Sequence, residues 1–425
     1  MRRVVVTGVG LVTPLGIGTR LSWDRMLAGE SAVGPIRKFD ASTLKTQVGG
    51  EVADFKPEDF VKNRRSLRMM TPNDQLSVAG ATLAMQDAGL EITDRTADRA
   101  GLFVGSNKEI SNPMHLLEGT LVARAEDGSV DVRKLGESAA SSFYPLFYVE
   151  GLQAASLFYI SQAYGLRGAN TYFAGMAEAG AVAIGRAYRA IRRGEADVAI
   201  AGGFDDAISW WTMTKFDAFG ILTDRNELGA AACRPYDRDR GGMVLGEGAA
   251  CLILEPYEDA KARGAQMYAE IVGFGSGYDG YKLVTPHPEG RGLASAMRSA
   301  LREAQIEPGQ VGYIATEGNG TVAGDVSEAH AIRELFGANG GLCASSVKGA
   351  TGHLVAGAGA LNAAVAALAL RDQKVPPTLN LDTPDPACPL DWVPGEARKI
   401  ETEYALALAR GLEGQNVALA LRAVS

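Results

Sequence analysis

Asn170-Thr-Tyr-Phe-Ala-Gly-Met-Ala-Glu-Ala-Gly-Ala-Val-Ala-Ile-Gly185 changes character halfway along. Its first residues are β-rich, and from Ala177 the pattern predicts a helix running to Arg193. Asp197 to Ala201 then reads as a second apolar strand, closed by the Gly202-Gly203 turn. The N-terminus of a helix carries partial positive charge, which favours an anion or a thiolate at its first residue. This chain places Ala177 there, and a methyl group cannot attack anything.

Outward from that segment, short β-rich runs alternate with long Ala-rich helical patterns, the signature of parallel or mixed sheets covered by helices. Strands are expected at Val4 to Thr7, Gly101 to Val104, Val198 to Ala201, Ala250 to Leu254, Ala269 to Val272, Tyr313 to Ala315 and Val417 to Leu421. Helices are expected at Asp74 to Ala88, Ala177 to Arg193, Leu293 to Ala304, Val326 to Leu335 and Leu354 to Arg371. The last of these is rich in small residues. Glycine inside a helix costs up to about 1 kcal/mol relative to alanine, so Gly357 and Gly359 call for a compensating close contact.

Three longer motifs, in this order, carry a resemblance. They are Arg2-Arg-Val-Val-Val-Thr-Gly-Val-Gly-Leu-Val-Thr-Pro-Leu-Gly16, Cys233-Arg-Pro-Tyr-Asp-Arg-Asp-Arg-Gly-Gly-Met-Val-Leu-Gly-Glu-Gly248 and Ser346-Val-Lys-Gly-Ala-Thr-Gly-His353. Together they resemble the elongating β-ketoacyl-acyl carrier protein synthases of type II fatty acid and polyketide systems. The resemblance implies an α/β fold with five thiolase-like layers, α/β/α/β/α, built from two fused similar halves, 1–255 and 256–425. In that family a Cys-His-His triad works with a lysine. Here Ala177 stands for the cysteine and Glu317 for the first histidine, while Lys348 and His353 keep the second site.

These losses bear directly on the chemistry. Condensation needs a thiolate to take the acyl chain and donors to the malonyl thioester carbonyl while it decarboxylates. An ionised Glu317 offers acceptors only, and Glu178, on the first turn of the helix, would oppose a thiolate beside it while its own charge is favoured by the dipole. The family's phenylalanine gate falls on Leu412, within Gly411-Leu-Glu-Gly-Gln-Asn416, and Glu413 replaces a glycine. Asn319 and Thr321 align with the threonines that contact the pantetheine amides; a simple turn is the other reading of Asn319-Gly320. Asp325 and Glu328, at the start of a helix, are expected to cap it, and Glu247 is expected to be a buried, hydrogen-bonded carboxylate.

Degenerate relatives of this type are chain-length factors, which pair with an active ketosynthase in a heterodimer. The resemblance implies that role: a non-condensing subunit that shapes the acyl cavity, with the phosphopantetheine arm of an acyl carrier protein as substrate carrier and no covalently bound cofactor. The alternative is a malonyl-carrier-protein decarboxylase supplying starter units, for which Lys348 and His353 speak and Glu317 does not. A condensing enzyme with a relocated nucleophile is the remaining reading. Residues limiting chain length are expected near Asn112 to Ala123, where Met114, Leu117 and Leu121 follow helical spacing; an ordinary core stripe would look the same.

Composition narrows the classes further. With 42 basic and 50 acidic residues the net charge is -8, which disfavours nucleic acid and fits a cytoplasmic protein. An acidic carrier would need a local basic patch, and the candidates are Lys62, Arg64, Arg65 and Arg68, or Arg186, Arg189, Arg192 and Arg193; solvated helix faces are the plainer reading. Cys233, Cys251, Cys343 and Cys388 show neither disulfide nor metal spacing and read as reduced, buried thiols. Arg2-Arg3 before Val4 to Val6 reads as the first strand and its turn in preference to a signal peptide, because glycines and Pro14 interrupt the run. No stretch is long and apolar enough to span a membrane.

Overall fold

A computed structural model describes residues 1–109, 112–337 and 341–424. The N-terminal half contains β1 (Val4–Thr13), α1 (Pro72–Ala88), β2 (Ala100–Ser106), α2 (Pro113–Leu121), α3 (Val132–Ser142), α4 (Ala155–Tyr164), β3 (Asn170–Ala174), α5 (Ala177–Arg192), β4 (Val198–Asp205) and β5 (Gly248–Pro256). The C-terminal half contains β6 (Ala269–Tyr278), α6 (Arg291–Ala304), β7 (Val311–Ala315), α7 (Val322–Phe336), β8 (Cys343–Ser345), α8 (Ala356–Asp372), β9 (Tyr404–Arg410) and β10 (Gln415–Arg422).

The strands run in the order β8-β7-β9-β10-β6-β1-β5-β4-β2-β3. Each half repeats the other: β3-β2-β4 and β8-β7-β9 are parallel, and β5 with β1, like β10 with β6, closes its half antiparallel. The halves join where Val4 to Val6 pair with Ala269 to Ile271. Five layers result. Helices α1 and α4 cover the outer face of one half, α6 and α7 that of the other, and α5 and α8 lie between the two halves.

The small-residue helices have the reason the sequence asked for. A Cβ on Gly359 would lie 2.2 Å from the Ala177 carbonyl oxygen, and one on Gly180 would lie 2.5 Å from that of Ala356. Backbones of α5 and α8 therefore touch, which only glycine allows. Gly357 has ordinary 3.4 Å contacts and a weaker requirement.

Some boundaries move for identifiable reasons. α1 starts at Pro72 because Thr71 and Asp74 form a capping box ahead of it. α8 starts at Ala356, not Leu354, because Val355 takes φ 45°, ψ -117°, outside helical space and strained for a β-branched residue. β9 was not expected. Its Tyr-Ala-Leu-Ala-Leu-Ala-Arg sequence is buried along nearly its whole length, and alanine carries no strand signal.

Candidate functional site

A small cavity opens where the C-terminal end of β7, the start of α7, the loop before α8 and the turn between β9 and β10 meet. Its walls include Met176, Glu317, Asn319, Thr321, His353 and Leu412. It holds about 40 Å³, far below the roughly 300–1,000 Å³ of small-molecule sites. Glu317, His353, Asn319, Thr321 and Leu412 thus share one wall system, as the motifs implied. Ala177, fully buried, belongs to the core behind Met176. Lys348 is buried too but does not line the cavity.

The loop after β7 is held by acids from α7. Glu328 accepts from the backbone N–H of Glu317 and Gly318 at 2.9 and 2.8 Å and from the Tyr236 hydroxyl at 2.9 Å. Asp325 accepts from the N–H of Tyr236 and Gly320 and pairs with buried Arg240 at 3.2 Å. Neither acid caps its own helix, contrary to expectation; Thr321 does, accepting from Gly324 N. Both reach back over the loop because its donors have no strand partner and need acceptors. Asn319 Oδ1 takes the Thr321 N–H and hydroxyl, so this pair forms a side-chain turn within the cavity wall.

Lys348 donates to Thr316 O at 3.0 Å and to Asn362 Oδ1 at 2.8 Å, and Asn362 donates to Thr316 O and Leu408 O. Burial lowers the lysine's pKa, against the opposing pull of Glu317 and Glu328. It ties β7 to β9 and α8 through this network.

His353 is oriented by the strained residue two positions on. The Val355 N–H donates to His353 Nδ1 at 3.1 Å, which leaves the proton on Nε2. Nε2 sits 2.6 Å from Glu317 Oε1 and donates to it. Burial works to raise the Glu317 carboxyl, but His353, Lys348 and Arg410 bring it below its ordinary value, so it is a carboxylate. The imidazole proton that the family resemblance would direct to a thioester is therefore engaged by Glu317. Glu317 Oε2 remains buried without a partner.

Glu178 differs from expectation. It is a buried acid, not a charge on an open first turn, and its Oε1 accepts from Met176 N at 3.1 Å. Burial, with Glu413 and Glu317 nearby, pushes its pKa up to about 7. Arg410 is the site residue that sequence reasoning missed. It ends β9, lines the cavity and donates to Asp279 Oδ2 at 3.2 Å and Ser327 Oγ at 3.0 Å. An arginine directly after the apolar run Ala405 to Ala409 was the available signal.

Leu412 packs in an apolar cluster with Met176, Met213, Phe216 and Val355. Glu247 is buried as expected, 2.5 Å from Lys38 Nζ and accepting from Val52 N. All four cysteines are free and buried. Burial raises the Cys343 thiol to about 11 and the Cys233, Cys251 and Cys388 thiols to about 12, so none supplies a thiolate near neutral pH. Met114, Leu117 and Leu121 are about half exposed on α2 and line none of the cavities found among the described residues, so they are not a core stripe. Arg189 and Arg192 pair with Glu303, and Arg193 lies beside Glu195. Lys62, Arg64, Arg65 and Arg68 are exposed.

Residues 1–260 match the model of the beta-ketoacyl synthase N-terminal domain, and 268–382 that of the C-terminal domain. The chain is 39% identical to 3-oxoacyl-[acyl-carrier-protein] synthase 2 of Coxiella burnetii, covering 100% of this chain and 99% of that protein. It is 38% identical to the protein of the same name from Vibrio harveyi, with 100% and 99% covered. Among solved structures, the ishigamide ketosynthase/chain length factor superposes with a TM-score of 0.88 at 31% identity, both chains covered in full. A type II polyketide acyl carrier protein in complex with its ketosynthase bound to the hexaketide gives 0.87 at 30%, again over both chains in full. No helix among the described residues is long and apolar enough to cross a membrane.

Proposed function

This chain belongs to the beta-ketoacyl synthase family, and we propose that it serves there as a non-condensing, chain-length-factor-like subunit paired with an active ketosynthase. One arrangement carries the reading: a methyl group at the head of α5, together with a His353 whose only ring proton is spent on Glu317. Neither nucleophile nor free carbonyl donor remains. The fold around them is whole, with α5 and α8 packed against each other between its two halves.

Pairing has a physical motive in this chain. On α2 and the segment after it, Met114, Leu117, Leu121, Val122, Val130 and Val132 are all exposed, and an exposed apolar patch of this kind favours a protein partner. At one end of the sheet, β3 is an edge strand with one side unpaired, which is covered most simply by a strand of a second chain. A partner of the same fold would bury both. The acyl chain would then be bounded by α2, with Met114, Leu117 and Leu121 at the floor of its tunnel. Lys62, Arg64, Arg65 and Arg68 offer the docking charge for an acidic carrier protein and its phosphopantetheine arm.

The decarboxylase alternative needs a donor to the enolate oxygen, and the His353 to Glu317 bond removes it. The test mixes the purified chain with an intact type II ketosynthase and a malonyl-loaded carrier protein, following complex size and product. Stable pairing with product formed only in the mixture is expected. A persistent homodimer indifferent to the ketosynthase would refute the proposal, and carbon dioxide release by the chain alone would favour the decarboxylase.

A further inference from the structure

Behind the cavity, the carboxyl of Glu178 occupies a socket that two glycines leave open. A Cβ on Gly175 would lie 2.2 Å from Glu178 Oε1, and one on Gly411 would lie 2.6 Å from Oε2. The same point on Gly411 is 2.8 Å from Gln415 Oε1. Two acceptor oxygens thus flank one position, both buried, and neither has a donor. Unmatched buried acceptors facing the same glycine are costly. One proton satisfies both.

We propose that Glu178 is a neutral carboxylic acid whose Oε2–H donates to the Gln415 amide oxygen, latching the turn 411–414 onto the first turn of α5 and holding the cavity shut. The bond joins two elements that no other side-chain hydrogen bond at this corner connects: Glu178 lies on the first turn of α5, its Oε1 accepting from Met176 N just ahead of the helix, and Gln415 begins β10. The turn is also held by Gly414 N to Gly411 O at 3.2 Å, by Gly411 N to Gln415 O at 2.8 Å, by Val284 N to Leu412 O at 2.8 Å, and by Asp279 N and Asn416 Nδ2 to Gly414 O at 2.8 and 2.9 Å. Glu413 on the turn and Glu317 from the loop after β7 are the charged groups acting on Glu178, and both are negative. The nearby cations are engaged elsewhere, Arg410 with Asp279 and Lys348 with Thr316 and Asn362. Burial acts in the same direction as those two negative charges. This latch does not depend on pairing with a ketosynthase, and its test needs only the isolated chain.

Peptide-resolved hydrogen exchange, corrected for intrinsic rates, reads the latch through the Gly414 and Val284 amides. In the wild type, protection should be constant below the midpoint of the Glu178 titration and then fall about tenfold per pH unit above it until the unlatched level is reached. Glu178→Gln keeps a donor at the same place, so its protection should match the wild type at acidic pH and stay flat. Gln415→Leu removes the acceptor and should show the low protection at every pH. In infrared difference spectra, the wild type should carry a protonated carboxyl stretch that Glu178→Gln lacks. Protection that rises with pH would overturn the proposal, because an ionised Glu178 accepting from a turned-over Gln415 amide gives that result. Identical pH profiles for wild type and Glu178→Gln would overturn it equally.

Discussion

On one side of the cavity Lys348, Asn362, Asp325 and Glu328 match donors to acceptors across β7, α7 and α8; on the other, around α5 and the turn 411–414, Glu178 Oε2, Gln415 Oε1 and Asn416 Oδ1 have no partner. The first side carries Lys348 from the motif that resembles the family's, and the departures proposed for this chain, Ala177, Leu412 and Glu413, all fall on the second. Glu317 stands between them: one oxygen joins the matched network and the other is an orphan. Matched networks are what hold a fold. Orphans collect where residues have changed their chemical role, as expected when a local rule is broken at a site.

The largest effect should come from the matched side. Lys348→Met removes a buried cation from beside Glu317 and Glu328 and two hydrogen bonds from Thr316 and Asn362. Leaving Asn362 Oδ1 without its donor and removing the cation that offsets the charges of Glu317 and Glu328 should cost about 3–5 kcal/mol of stability, read by chemical denaturation. A loss below about 1 kcal/mol would mean that the network is not the support it looks to be.

Glu178→Gln should act in the opposite sense. The folded protein holds this carboxyl neutral up to about pH 7, against 4.5 for an ordinary glutamate. Its proton is thus bound more tightly folded than unfolded, and wild-type stability declines as pH rises from about 4.5 to 7. The glutamine variant escapes that decline and should be more stable by about 3 kcal/mol above pH 7, with no difference in acid. Comparing stability curves over pH checks both ends.

Glu317→Gln should show the reverse slope at smaller size. The carboxyl of Glu317 is held below its ordinary value, so the stability it contributes is present above the unfolded value and lost as pH falls through the folded one. The variant should lose about 1–3 kcal/mol at neutral pH and match the wild type in acid. Parallel slopes for the two glutamates would erase the contrast between the two sides.

Smallest of all should be Leu117→Ala or Met114→Ala in the isolated chain. Both residues are about half exposed, and the change in melting should correspond to no more than about 0.5 kcal/mol. In the complex with a ketosynthase the same substitutions should lengthen the products, detectable by mass spectrometry. A large loss of stability in the isolated chain with unchanged products would return α2 to a structural role.

Much of this was legible beforehand. The apolar runs located seven of the ten strands numbered above, and the motif order supplied the layers. The motifs singled out Glu317, Lys348 and His353, and the fold does bring Glu317 and His353 into contact beside the Lys348 network; the catalytic positions read for them and for Ala177 belong to the proposal. Contact geometry was not legible. That Asp325 and Glu328 serve the loop in place of their own helix depends on which backbone donors folding leaves unpaired. The burial of Glu178 depends on Gly175 and Gly411, which meet only in three dimensions. Val355 gave no sign of positive φ, because glycine and asparagine are the residues that announce it.

Intact-mass spectrometry of the chain incubated alone with acyl-loaded carrier protein addresses the central claim most directly. The account predicts an unmodified mass and no condensation product on later addition of malonyl-loaded carrier, with product appearing once an intact ketosynthase is supplied. An acyl adduct on this chain, chased into product by malonyl-carrier protein with no partner present, would contradict it.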